Sequence, residues 1–180
     1  MKKTKGSGAG AGVASAGLVY GLRRGWGAAL ERIWQSLFGP PDLGPVDFRA
    51  LIRRKTPNDA LACPPDFCPE ARPDFETPVF PVPAERLRAI LAEVATQEPD
   101  TVLLDSGPEQ DRYLVRTRLM RFPDTVVAQA VTWGGDHSTL ALYSRSQVGR
   151  SDLGVNKRRL ERWVERISRL VATERRDRSC

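Results

Sequence analysis

Hydrophobic spacing changes its period along the second half of the chain. Residues 81–97 (PVPAERLRAILAEVATQ) place Leu87, Ile90, Leu91 and Val94 at helical spacing, and Pro83 suits a helix start. Strand patterns follow. Thr101–Asp105 (TVLLD) is a short apolar run. Residues 112–122 alternate, with Tyr113, Val115, Thr117 and Leu119 on one face and Arg116 and Arg118 on the other. Thr125–Trp133 follows a Pro123–Asp124 turn, GGDH makes a second turn, and residues 138–146 continue as a strand. The helical period returns in residues 156–172, where Leu160, Trp163, Val164, Ile167, Leu170 and Val171 form one stripe. The expected fold class is α+β: an antiparallel sheet of about four strands flanked by helices that cover one face.

The first half reads differently. Residues 39–82 are dense in proline and show little periodicity, so they are expected as an extended arm that wraps the core, with Pro57-Asn58-Asp59 as a turn. Before the arm, Trp26, Leu30, Ile33, Trp34, Leu37 and Phe38 recur at helical spacing among Arg23, Arg24 and Arg32. This is the pattern of an amphipathic helix at a lipid interface, or of a helix packed on the core. Three lysines and an uncharged run from Gly6 to Leu22, with six glycines, precede it. As a helix that run spans about 25 Å, short of a bilayer core. The chain therefore divides into a leader and amphipathic helix (1–38, a candidate membrane anchor), the arm (39–82), an α+β core (83–172) and a polar tail (173–180).

Composition narrows the chemistry. Hydrophobic residues are 41% and charged residues 28% of 180, a globular balance. The net charge of +6 is concentrated in residues 157–178, which hold nine Lys or Arg against four Asp or Glu. Such a helix can meet nucleic acid. Here the basic residues are interleaved with Glu161, Glu165 and Glu174, and Trp163 falls on the apolar stripe, which favours a solvated face. A single histidine, His137, argues against a two-histidine metal site and a His-based triad. Cys63 and Cys68 (ACPPDFCPE) are open to three readings: a disulfide, half a metal site or two free thiols. No second ligand pair completes a zinc site, so neither metal nor cofactor is expected, and an oxidising compartment favours the disulfide.

The densest chemistry lies in SRSQVGRSDLGVNKRR, Ser144 to Arg159. Glycine-bounded turn geometry and Asn156 as a helix cap account for most of it. An anion site is the sharper reading. Arg145, Ser146, Ser151, Asp152, Asn156 and Arg158 surround a helix N-terminus whose free amides suit phosphate, sulfate or carboxylate. A hydrolytic set from Ser146, Ser151 and Asp152 is the alternative, without a G-x-S-x-G elbow or a histidine in the block.

This stretch resembles domain-of-unknown-function family 1499 (DUF1499) of bacteria and plant plastids. Ser144, Arg145, Ser146, Val148, Gly149, Ser151, Asp152, Leu153, Gly154, Asn156 and Arg158 match its pattern, and Gln147 departs from it. TPNDALACPPDFC, PVFPVPAERL, RFPDTV and LFGPPDLGPVDF resemble other family segments, so the likeness covers roughly residues 34–172. The family has no established activity. The resemblance implies a small domain of the envelope or an organelle lumen, often behind one N-terminal membrane segment. The expectation is thus a non-catalytic, bacterial, envelope-facing domain, membrane-anchored or periplasmic. Its expected partners are a membrane surface, through residues 1–38, and an anionic small molecule or lipid headgroup. Nucleic-acid binding and a cytoplasmic home are the alternatives.

Overall fold

The computed structural model describes residues 27–118 and 120–178; the leader with Arg23, Arg24 and Trp26, the expected face residue Leu119 and the chain's last two residues lie outside them. Helix α1 covers residues 27–38. Then come β1 (Asp59–Cys63), β2 (Phe75–Glu76), α2 (Ala84–Gln97), β3 (Thr101–Ser106), β4 (Asp111–Arg116), β5 (Pro123–Gly134), β6 (His137–Ser146) and α3 (Val155–Arg178).

The fold is α+β, but its sheet has six strands rather than four, in the order β2-β1-β6-β5-β4-β3. It is mixed: β1 and β2 run parallel, and every other pairing is antiparallel. The two additional strands lie inside the proline-rich arm. Ala60, Leu61, Ala62 and Cys63 of β1 are all fully buried, so this strand shows no apolar/polar alternation. Strand β2 is only two residues long.

Three boundaries also differ from the pattern, the first being Pro123–Asp124, expected as a turn but paired with β4 as the start of β5. The alternation over residues 112–122 is a strand only to Arg116. Beyond it the Arg121 amide bonds the Thr117 carbonyl at 3.0 Å, and the Thr117 amide bonds the Phe122 carbonyl at 3.0 Å. Arg121 sits at φ 56° to close this turn. At the other end, α3 runs on to Arg178, so residues 173–178 of the expected tail are helical. Arg86 of α2 pairs with Glu174 in this last stretch.

Side chains alternate across the sheet and build two cores. Ala60, Ala62, Tyr113, Val115, Val126, Ala128, Leu140 and Leu142 face α2 and α3, where Leu87, Leu91, Leu160, Trp163 and Ile167 cover them. Tyr113 and Trp163 meet edge-on, ring centroids 5.7 Å apart. Leu61, Cys63, Val127, Ala141 and Tyr143 face the other way, where Val46, Phe48, Leu51, Phe67 and Ala71 of the arm cover them. Cys63 and Cys68 are bonded to each other and close the loop that carries Phe67.

The arm is therefore a layer of the protein, and one residue tests it. Phe48 is buried against Phe67, ring centroids 6.4 Å apart. Phe48→Ala is expected to cost about 3–5 kcal/mol in urea unfolding, as for a large core side chain. An unchanged midpoint would show that the arm lies outside the cooperative unit.

Candidate functional site

The motif between β6 and α3 builds the joint of these two elements. Asn156 is fully buried one residue into α3, so it is not the cap. Its Nδ2 donates to Ser146 Oγ at 3.0 Å and to the Asn58 carbonyl at 3.2 Å. Its Oδ1 accepts from the Ser144 hydroxyl and from Arg159 Nη1, the latter at 2.6 Å. Arg159 continues to Ser144 Oγ at 2.9 Å and pairs with Asp124 Oδ2 at 2.7 Å, both partners almost wholly buried. One polar network thus ties α3 to β6, to β5 through Asp124 and to the start of β1 through Asn58.

Asp152 caps the helix instead. Its carboxylate accepts from the Gly154 amide at 2.9 Å and the Asn156 amide at 2.7 Å, and its carbonyl accepts from Val155 N at 3.0 Å. A carboxylate at this end also suits the helix dipole. Gly149 and Gly154 take φ of 97° and 76°, the left-handed backbone that glycine tolerates. Ser151 is exposed and accepts from the Leu153 amide at 3.3 Å. Arg158 is exposed beside Gly154.

Arg145 points to the opposite face of the sheet. It donates to the Leu43 and Gly44 carbonyls, both at 2.6 Å, and lies over the Tyr143 ring. Burial, then Arg54 nearby, pushes its pKa down. Thr125 of β5 and Gln110 beside β4 grip the same arm. Thr125 Oγ1 donates to the Pro41 carbonyl at 2.9 Å, and Gln110 bonds both the amide and the carbonyl of Val46. The six residues expected around an anion accordingly divide: Ser146 and Asn156 in the network, Arg145 on the arm, Asp152 at the cap, Ser151 and Arg158 in solvent.

The concave surface lies elsewhere. Two adjoining clefts of about 580 Å³ each share Arg49, Phe67, Pro108, Glu109 and Gln129. One runs between the arm at Val46 and Phe48 and the β3–β4 hairpin at Asp105 and Arg112. The other passes the start of α2, at Ala84, Glu85 and Arg88, along β5 from Gln129 to Thr132. Arg88 is engaged, pairing with Asp111 at 2.6 Å, and Arg112 bridges Asp42 and Asp105. Arg49 lies 4.7 Å over the Phe67 ring. None of these cleft residues stood out in the sequence: those on α2, β3, β4 and β5 lie off the apolar stripes, and the others sit in the arm and the hairpin turn, which have no periodic signal. Arg159 and Asp124 were equally silent: one falls inside a basic run, the other in an apparent Pro-Asp turn.

The Asp124–Arg159 pair generates a stability test. Asp124→Asn or Arg159→Met alone is expected to lose about 3–5 kcal/mol, because the remaining charge is buried unpaired. The double variant is expected to lose less than the sum, measured by urea denaturation. Additive losses would mean that the two side chains are not coupled.

No curated protein matches the chain. A family model described as "Protein of unknown function (DUF1499)" matches residues 56–167. That span runs from the turn before β1 through most of α3 and takes in the whole network, so the chain belongs to the DUF1499 family.

Proposed function

We propose that the chain is a non-catalytic binding domain of the bacterial cell envelope that rests on an anionic membrane surface through α1. The observation that carries this reading is the two-sided character of α1. One side is fixed to the domain: Trp34 Nε1 donates to the Met120 carbonyl at 2.8 Å, and its ring packs on Phe122 at 4.8 Å between centroids. Glu31 joins that side by pairing with Arg116 at 3.1 Å and Arg121 at 2.7 Å. The other side is bare, with Ile33 50% and Leu37 65% exposed. Exposed apolar residues on a helix that is already anchored suit an interfacial contact. No described helix is long and apolar enough to cross a membrane, so the proposed contact lies along the surface. Arg32 on α1 and Lys2, Lys3, Lys5, Arg23 and Arg24 before it add charge that favours anionic headgroups. The Cys63–Cys68 bond fits a compartment more oxidising than the cytosol.

Two alternatives have less support. The hydrolytic set of Ser146, Ser151 and Asp152 is engaged in the structure: Ser146 lies in the buried network, Ser151 Oγ accepts from the Leu153 amide, and the Asp152 carboxylate accepts from the Gly154 and Asn156 amides. On α3, Arg162 pairs with Glu98 and Arg169 with Glu165, while Trp163 is fully buried, so part of the basic charge is already engaged and Trp163 offers nucleic acid no stacking ring.

Vesicle sedimentation tests the membrane reading. The full chain is expected to pellet with vesicles of phosphatidylcholine mixed with phosphatidylglycerol, and less with phosphatidylcholine alone. Ile33→Ser combined with Leu37→Ser is expected to weaken pelleting about tenfold, from the apolar area withdrawn from lipid. A wild-type chain that stays in the supernatant, or a variant that pellets equally, would defeat the proposal.

A further inference from the structure

Strand β5 is longer than the strand beside it. It pairs with β6 from Asp124 to Gly134, but with β4 only from Pro123 to Ala128. The ladder on that side stops at Asp111, because residues 107–110 turn away into the hairpin, closed by Gly107 N to the Gln110 carbonyl at 2.9 Å. From Gln129 to Trp133 the main chain of β5 has a bare edge about 17 Å long. Among the described residues, no group bonds the backbone of this stretch on the β4 side. An edge of this kind is a template for another strand.

The edge opens into the second cleft rather than flat solvent. Ala130 packs toward the core under α2, and Val131 packs toward the core under the arm. A strand laid along β5 would therefore send alternate side chains to two different surroundings. On the arm side it meets Phe67, Phe48 and Val46, with Arg49 laid over the Phe67 ring. On the α2 side it meets Glu85 and Glu109. Both carboxylates are exposed, and among the described residues neither has an ion pair; Arg88 in the same lining is already paired with Asp111, which leaves Glu85 and Glu109 against Arg49 as the cleft's charges outside ion pairs. The outer edge of the sheet lacks these features. Strand β3 carries a bulge between Leu103 and Asp105, within its ladder, whereas the register shift of β5 falls between Thr132 and Gly134, at the far end of the bare stretch.

We propose that the β5 edge, Gln129–Trp133, receives an extended segment of a partner protein in which apolar and basic side chains alternate. The main chain of β5 supplies hydrogen bonds, the Phe67 side takes the apolar residues, and Glu85 and Glu109 take the basic ones. This site is independent of the α1 face, and either can fail without the other.

The probe is a short fluorescent peptide of alternating valine and lysine, followed by anisotropy against the full chain. It is expected to bind and to slow amide exchange at residues 129–133. The same peptide N-methylated at alternate amides, and an alternating valine–glutamate peptide, are expected to bind at least tenfold more weakly. Glu85→Lys combined with Glu109→Lys changes two exposed side chains and is expected to reverse the charge preference. No binding of the valine–lysine peptide overturns the proposal. Equal binding of the N-methylated peptide, or indifference to the charge reversal, overturns it too. Self-association of the free chain that the charge reversal abolishes would put a second copy on this edge, and likewise overturns it.

Discussion

The structure depends on one constraint: β5 and β6 are apolar on both faces. Val126 and Leu142 look one way, Val127, Ala141 and Tyr143 the other, and all are buried. A sheet of this kind must be covered twice. Helices α2 and α3 supply one cover. The second falls to the segment with no helical pattern, which explains why an irregular, proline-rich arm is bound so tightly. Its polar backbone cannot be buried without partners. Side chains from the sheet provide them: Arg145 from β6, Thr125 from β5 and Gln110 beside β4. Proline suits this layer because it removes donors that would otherwise need satisfying and lowers the entropy lost on ordering.

This arrangement also accounts for the density of the motif from Ser144 to Arg159. At the end of β6 the chain has contacts on both faces of the sheet. Residues pointing to the helix side, Ser144 and Ser146, join Asn156 and Arg159 in the buried network. Residues pointing to the arm side, Tyr143 and Arg145, bond Asp59 and the arm carbonyls. On that side Arg53 joins Asp59 at 2.6 Å to Asp74 at 3.0 Å, so the phenol of Tyr143 sits in a charged cluster, and burial raises its pKa. Buried polar groups at such a junction must be satisfied inside the protein, and partly satisfied ones are costly. The residue types that resembled a ligand cradle are those a two-sided joint requires.

How much was legible follows from what periodicity can express. Leu87, Ile90, Leu91 and Val94 face the core as their spacing predicts, and so do Leu160, Trp163 and Ile167. The α+β class follows from those helices and the runs between them. Strand β1 was illegible because it is buried on both faces and so does not alternate, and β2 because two residues hold no period. Asn156 is a strong capping residue by type, yet Asp152 caps, since Gly154 lets the turn place its carboxylate on the helix amides. The cleft was illegible for a different reason. It is made where pairing stops, at the mismatch in length between β4 and β5, and no local sequence signal marks an absent neighbour.

The two proposed surfaces stand in a defined relation because one strand connects them. Trp34 of α1 packs on Phe122, immediately before β5 begins at Pro123. The bare edge starts six residues later, at Gln129, and ends at Trp133. At strand rise the edge lies about 20–35 Å from the α1 contact. A domain seated on lipid through α1 would hold its peptide edge at that distance along the strand from the α1 contact. The β5–β6 hairpin is paired in register over that distance as far as Thr132. Membrane contact at one end would leave the edge free at the other, and the two sites need no conformational coupling to act together.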